Sequence, residues 1–194
     1  MASLIGHIWK HTRERERVNA SHKELAQKVA WREYYIKDIF NISAGKRLTK
    51  ADMRCGQRPF IGAADNNNGI TAYVSNDNVS RDENVLGVNY NGSVVENFYH
   101  PYECIFSDDV KRFSLKNYNG NKWVYLFLKA TILKQKEKYQ YGYKFNERRM
   151  HEQKILLPAH PDGEPDYGFM ENYAKNLEEK QLSRYVNYLY AIST

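Results

Sequence analysis

The residues of this chain best equipped for chemistry are hydrogen-bonding and cationic side chains rather than nucleophiles or metal ligands. From Gln140 to Arg149 basic and aromatic residues interleave, in Tyr141, Tyr143, Lys144, Asn146, Arg148 and Arg149. A second stretch gathers Lys116, Asn117, Tyr118, Asn119 and Lys122, and a third holds Ser75, Asn76, Asn78 and Arg81. Amides, phenols and guanidinium groups can pair with base edges, while lysines and arginines, Lys46 and Arg47 among them, can neutralise phosphates. Taken singly, each of these residues is equally well explained as solvated surface. The Gln140–Arg149 run is the strongest candidate, because its residues lack helical apolar spacing.

A different signal comes from Arg58 to Asn76, where Asn66, Asn67, Asn68 and Gly69 separate the two apolar runs PFIGAA and ITAYV. Asparagine has poor propensity for helix and strand but tolerates left-handed backbone and carries both a donor and an acceptor. The run predicts a tight exposed loop. Its asparagines could read adenine, but the turn-forming role is preferred.

Enzymatic readings find little support. Asp162, Glu164 and Asp166 lie in a proline- and glycine-rich turn ahead of a helix, where carboxylates favour the positive end of the helix dipole. Of the six histidines, only His7 and His11 have i, i+4 spacing, without a third ligand nearby. Cys55 and Cys104 form no metal or disulfide pattern and read as buried or inert thiols. Nucleophile-elbow, phosphate-loop and dinucleotide motifs do not occur, nor does an Asn-Pro-Pro-Tyr-like loop of an amino-methyltransferase. Neither a metal nor a cofactor is expected.

The elements that must position the candidate residues follow from the pattern. With 194 residues, one main domain and a small appendage are expected. A net charge of +6 and a pI near 9.1 favour a polyanionic partner. Mean hydropathy is −0.76, and no apolar run approaches the roughly 18 residues of a membrane span. A soluble, cytoplasmic protein is expected. Residues 1–30 suggest a polar helical arm, in which Ser21 and Glu24 have capping-box spacing. Trp31 to Gly45 suggests a strand or strand-turn. FIGAA, ITAYV, NVLGVNY, VVENFY, ECIFS and RFSLK read as strands, and KWVYLFLKATIL as either a strand or a helix. Asn91-Gly92 and Asn119-Gly120 suit hairpin turns. After the turn at 158–168, Phe169, Met170, Tyr173, Leu177, Leu182, Tyr185, Leu189 and Tyr190 recur at helical spacing. The expected fold class is α+β: a twisted, mostly antiparallel, hairpin-rich sheet with flanking helices and a long C-terminal helix. The expected division is 1–30, 31–160 and 161–194.

WREYYIKDIFNISAGKRL, RPFIGAADNNNGIT, YQYGYKFNERRMHEQKILLP and DGEPDYGFME together resemble the target-recognition domain of restriction-modification specificity subunits of the type I and type IIB sort, from about Trp31 to about Glu171. The resemblance implies a non-catalytic domain that reads double-stranded DNA, with the S-adenosylmethionine chemistry left to a methyltransferase partner, and with a restriction subunit as a further possible partner. It also implies a C-terminal helix that packs against partner helices or a second copy of the chain. Type I members commonly carry two such domains, whereas this chain has room for one. The competing expectation is an interaction or inhibitory module that binds the methyltransferase without reading DNA.

Overall fold

The computed structural model describes residues 29–139 and 143–192. The expected N-terminal arm with its Ser21 capping box, the pair His7 and His11, and Tyr141 lie outside the described residues. The chain divides into two compact units, Glu33–Leu157 and the segments flanking it.

The larger unit is built on β1 (Ala30–Tyr35), α1 (Ile36–Ile39), β2 (Phe40–Ala44), β3 (Cys55–Ile61), β4 (Ile70–Val74), β5 (Val85–Asn89), β6 (Asn97–His100), β7 (Ile105–Phe106), β8 (Val110–Leu115), α2 (Lys122–Leu133), α3 (Glu147–Glu152) and β9 (Lys154–Ala159). Strands β1 and β9 pair with each other, and the chain passes between the two units along them. A four-stranded antiparallel sheet has the order β2-β8-β5-β6, and a three-stranded sheet the order β4-β3-β7, in which β3 and β7 are parallel. The mostly antiparallel α+β expectation therefore describes the architecture. Between β1 and β2 the expected strand-turn contains a helical turn, α1, that buries Ile36 and Ile39.

Burial explains the four-stranded sheet. Strand β5 is buried at every position, as befits an interior strand covered on both faces. On β8, Phe113 and Leu115 are buried while Arg112 and Ser114 are partly exposed, the two-residue alternation of a pleated strand. Phe40 meets Phe113 at a centroid distance of 5.3 Å, and Tyr99 stacks on Tyr125 at 4.8 Å. Helix α2 buries Val124, Tyr125, Leu128 and Ile132, a stripe at three- and four-residue spacing. KWVYLFLKATIL is thus the helix of its two readings. A second cluster joins Ile61, Val85, Cys104, Phe106 and Val110. Burial pushes the Cys104 thiol up to about 12, so it is inert at neutral pH, whereas Cys55 is exposed.

The asparagine run closes the β3–β4 hairpin. Asn67, Asn68 and Gly69 follow one another with φ of 47°, 51° and 73°, conformations that asparagine and glycine tolerate best. The Asn67 amide donates to the Ile70 carbonyl at 3.0 Å, and Gly62 N donates to Gly69 O at 2.8 Å. A Cβ on Gly69 would also come within 3.2 Å of Ile61. These bonds are those of a turn.

Asn91-Gly92 lies in the β5–β6 hairpin, but the connection is longer than two residues, because Val88 pairs with Asn97. Asn119-Gly120 is not a hairpin turn. It leads from β8 into α2, whose N-cap is Asn121, accepting from Trp123 N at 3.1 Å and Val124 N at 3.2 Å.

The flanking unit contains α4 (Tyr167–Ile192). Asp166 caps this helix by accepting from Phe169 N at 2.8 Å, and Asp162 accepts from Glu164 N at 3.0 Å, both turn and cap roles. Met170 is its buried residue, whereas Leu177, Leu182, Tyr185, Val186, Tyr188, Leu189, Tyr190 and Ile192 are exposed.

Candidate nucleic-acid interface

The register of β2 against β8 sorts the candidate residues to two ends of the four-stranded sheet. At one end Ala44 pairs with Lys111, and at the other Phe40 pairs with Leu115. The two ends lie roughly 14 Å apart at about 3.4 Å per residue. The sequence-derived candidates do not all come together.

Lys46 and Arg47 belong to the Ala44 end. Gly45 N donates to Val110 O at 3.1 Å and Lys46 N to Phe106 O at 2.8 Å, so the backbone is pinned while both side chains remain exposed. Arg47 lies 3.5 Å from Asp108, a long contact across open surface that contributes little. The same ten-residue loop, GKRLTKADMR, also carries Lys50 and Arg54, both exposed. Neither was singled out from the sequence. The signal that could have found them is four cations in ten residues after a glycine, with no apolar periodicity.

Asn76 holds this loop in place rather than pointing away from the protein. Its Oδ1 accepts from Arg54 N at 2.7 Å and its Nδ2 donates to Asp52 O at 3.0 Å. Asn78 is likewise a turn residue, its Oδ1 accepting from Ser80 N at 2.8 Å. Arg81 lies 2.8 Å from Asp77 and 3.8 Å from Glu103. All three are engaged with other residues of the protein.

The start of α3 reaches the Ala44 end through Lys111, whose ammonium donates to Glu147 at 2.7 Å. That bond holds the Glu147 carboxyl below its usual range. Asn146 caps α3, its Oδ1 accepting from Arg149 N at 3.0 Å, so the last three residues of the basic run, Glu147 to Arg149, are helical. Arg148 is highly exposed and lies 3.0 Å from Glu152, while Lys144 is exposed. Arg149 sits 3.6 Å above the Tyr143 ring, and Tyr143 stacks on Tyr139 at 5.8 Å.

The remaining candidates occupy the opposite end. Lys116 donates to the Lys37 carbonyl at 2.7 Å, and the Asn119 side chain accepts from Asn84 at 3.2 Å. Asn117 has a left-handed φ of 53°, and Lys122 lies over the Trp123 ring at 5.7 Å. Tyr118 is partly buried. This end is knitted to its surroundings.

Among the described residues, no group of three His, Cys, Asp or Glu could hold a metal, and no helix is long and apolar enough to cross a membrane.

Cation-bearing loops gather at one end of the four-stranded antiparallel sheet, and the flanking unit presents a long helix with exposed apolar residues. Residues 28–186 match the type I restriction modification DNA specificity domain, and the chain belongs to that family. It is 62% identical over 156 residues to the specificity subunit S.BcgI of a type II restriction enzyme from Heyndrickxia coagulans, a match that covers 80% of this chain and 46% of that protein. The chain thus spans about half the length of its curated relative. Its fold resembles the S subunit of a type I restriction-modification system from M. genitalium, with a TM-score of 0.62, 19% identity, and coverage of 99% of this chain and 52% of that one. The HsdS subunit from Thermoanaerobacter tengcongensis gives a TM-score of 0.56 at 13% identity, covering 92% and 48%.

Proposed function

We propose that the chain reads a short sequence of double-stranded DNA in the cytoplasm as the specificity component of a restriction-modification assembly, and does no chemistry itself. The observation that carries this reading is the loop Gly45–Arg54. Its four cations face solvent on a backbone fixed by Gly45, Lys46 and Asn76, in a chain that belongs to a DNA specificity family. A pinned loop with exposed cations neutralises phosphates at a defined position, which sets register without carrying sequence information. Sequence readout then falls to side chains beside that loop, with Tyr143, Lys144, Arg148 and Arg149 on or next to α3. Among the residues first singled out, Asn76 holds this loop, Asn78 and Arg81 are engaged with neighbouring residues, and Lys116, Asn117, Tyr118, Asn119 and Lys122 lie at the other end of the sheet.

A methyltransferase subunit is the partner, and it supplies the S-adenosylmethionine chemistry. Helix α4 supports this assignment, since eight large apolar residues exposed from Leu177 to Ile192 form a surface suited to helix packing. A second copy of the chain on the same helix would provide two reading domains, as a chain of about twice this length would. The test is binding of fluorescent duplexes by the chain with its methyltransferase across a salt series. Steeply salt-dependent binding with preference for one short sequence supports the reading, and tight association with the methyltransferase without DNA affinity contradicts it.

A further inference from the structure

Cations near α3 are held in two different ways. Arg148 is 84% exposed at its side chain and, among the described residues, pairs only with Glu152, one helical turn on. Arg149 is clamped. Its guanidinium lies 3.6 Å above the Tyr143 ring, and its Nη1 donates to the Lys144 carbonyl at 2.6 Å. Together, a face contact and an edge contact fix the plane of a guanidinium group, because one sets its tilt and the other its rotation.

The support beneath Arg149 runs into the core. Tyr143 stacks on Tyr139 with an interplanar angle of 11°. Tyr139 is buried, packs on the fully buried Phe145 at 4.5 Å, and donates its hydroxyl to Gln153 Oε1 at 2.7 Å. Gln153 in turn donates to Gln135 at 3.1 Å. Tyr143 itself is 53% exposed, so the pedestal rises from the interior to the surface and ends at the arginine. Nε and Nη2 of Arg149 have no hydrogen-bond acceptor among the described residues.

A phosphate contact needs only a positive charge and tolerates a swinging side chain, whereas a base edge needs a planar fork in one orientation. Guanine offers O6 and N7 as a matched pair of acceptors for such a fork. Resting on the reading that this chain recognises duplex DNA, we propose that Arg149 reads a guanine in the major groove and that Tyr143 is its positioning residue. Fixing the side chain beforehand removes much of the ordering cost that a free arginine meets on binding.

The chain, assembled with its methyltransferase, is tested against duplexes of its recognised sequence in which each guanine is replaced in turn by 7-deazaguanine, which lacks N7. The wild-type complex is expected to lose about 10-fold or more in affinity at one guanine. Arg149→Lys keeps the charge but loses the fork, so it should become insensitive at that guanine, stay sensitive at the others, and accept other bases there. Tyr143→Phe should behave as wild type and Tyr143→Ala should fall between, which separates orientation by the ring from a role for the hydroxyl. The assignment is overturned if Arg149→Lys weakens all duplexes by one common factor while every 7-deazaguanine effect remains, which marks a phosphate contact. It is also overturned by a recognised sequence without guanine. A wild-type complex without any sequence preference overturns the DNA reading itself, and this assignment with it.

Discussion

Two lysine-bearing segments are used in different ways. The loop Gly45–Arg54 fixes its backbone and leaves Lys46, Lys50 and Arg54 exposed, with Arg47 only loosely held. The link Lys116–Lys122 engages its side chains with the rest of the protein at the surface, at the Lys37 carbonyl, Asn84 and the Trp123 ring. Positive charge in a sequence therefore does not identify a contact face. What separates the two is where the hydrogen bonds go: in the loop they hold the backbone and leave the cations in water, whereas in the link the Lys116 ammonium is given to the Lys37 carbonyl.

The comparison breaks most visibly if the exposed loop is neutralised. The triple variant Lys46→Ala, Arg47→Ala, Lys50→Ala should reduce the slope of log K against log salt by about 3, close to 0.9 per phosphate contact, and weaken duplex binding on the order of 100-fold. Fluorescence anisotropy across a salt series measures both. An unchanged slope would mean that this loop does not meet DNA.

The link end should respond in stability instead. His100 pairs with Val85 at this end of the sheet and is fully buried. Burial lowers its pKa from 6.5 to about 4, so the native state keeps it neutral while the unfolded chain takes up a proton below pH 6.5. Its contribution is complete above pH 6.5, is lost progressively as pH falls, and is gone below about 4. Between pH 6.5 and 5 that loss is about 2 kcal/mol. His100→Asn should show a correspondingly flatter pH dependence in urea unfolding, and parallel curves for the two proteins would refute the linkage.

A smaller effect belongs to the helix cap. Asn121→Ala removes the acceptor for two amides of α2 and should cost about 1 kcal/mol in unfolding free energy while leaving the salt slope of DNA binding unchanged. Lys116→Ala should change duplex affinity by less than about twofold, because its ammonium is already bound to the Lys37 carbonyl. A slope reduced by Lys116→Ala as much as by a substitution in the Gly45–Arg54 loop would erase the distinction between the two segments.

Much of the fold was readable in the sequence, for physical reasons that vary by element. ITAYV matches β4, and the asparagine run is the turn that its backbone preferences imply. The helical spacing after Phe169 corresponds to α4. The dipeptide Asn119-Gly120 misled because asparagine serves hairpin turns and helix entry equally well, and only the neighbouring Asn121, with its side chain on the first turn, decides between them. KWVYLFLKATIL is apolar enough to fill either a strand or a buried helix, so its state is settled by packing against β6 and β5 rather than by its own pattern.

The candidate site was legible in part. Residue type singled out Lys46, Arg47, Arg148 and Arg149 as candidates, but not the difference between Arg148 on Glu152 and Arg149 on Tyr143. That difference depends on the buried Tyr139 and Gln153, which look like ordinary core residues in sequence. Asn76, Asn78 and Arg81 resemble readers by composition, yet Asn76 bonds Asp52 across a long sequence separation, and Asn78 and Arg81 find Ser80 and Asp77 close by in the chain.

Mapping of methylated bases across a genome, in cells carrying the methyltransferase with and without this chain, tests the central claim most directly. The account predicts methylation confined to one short sequence that appears only when the chain is present, and no methylation or cleavage by the chain alone. A methylation pattern indifferent to the chain, or turnover by the isolated chain, would contradict it.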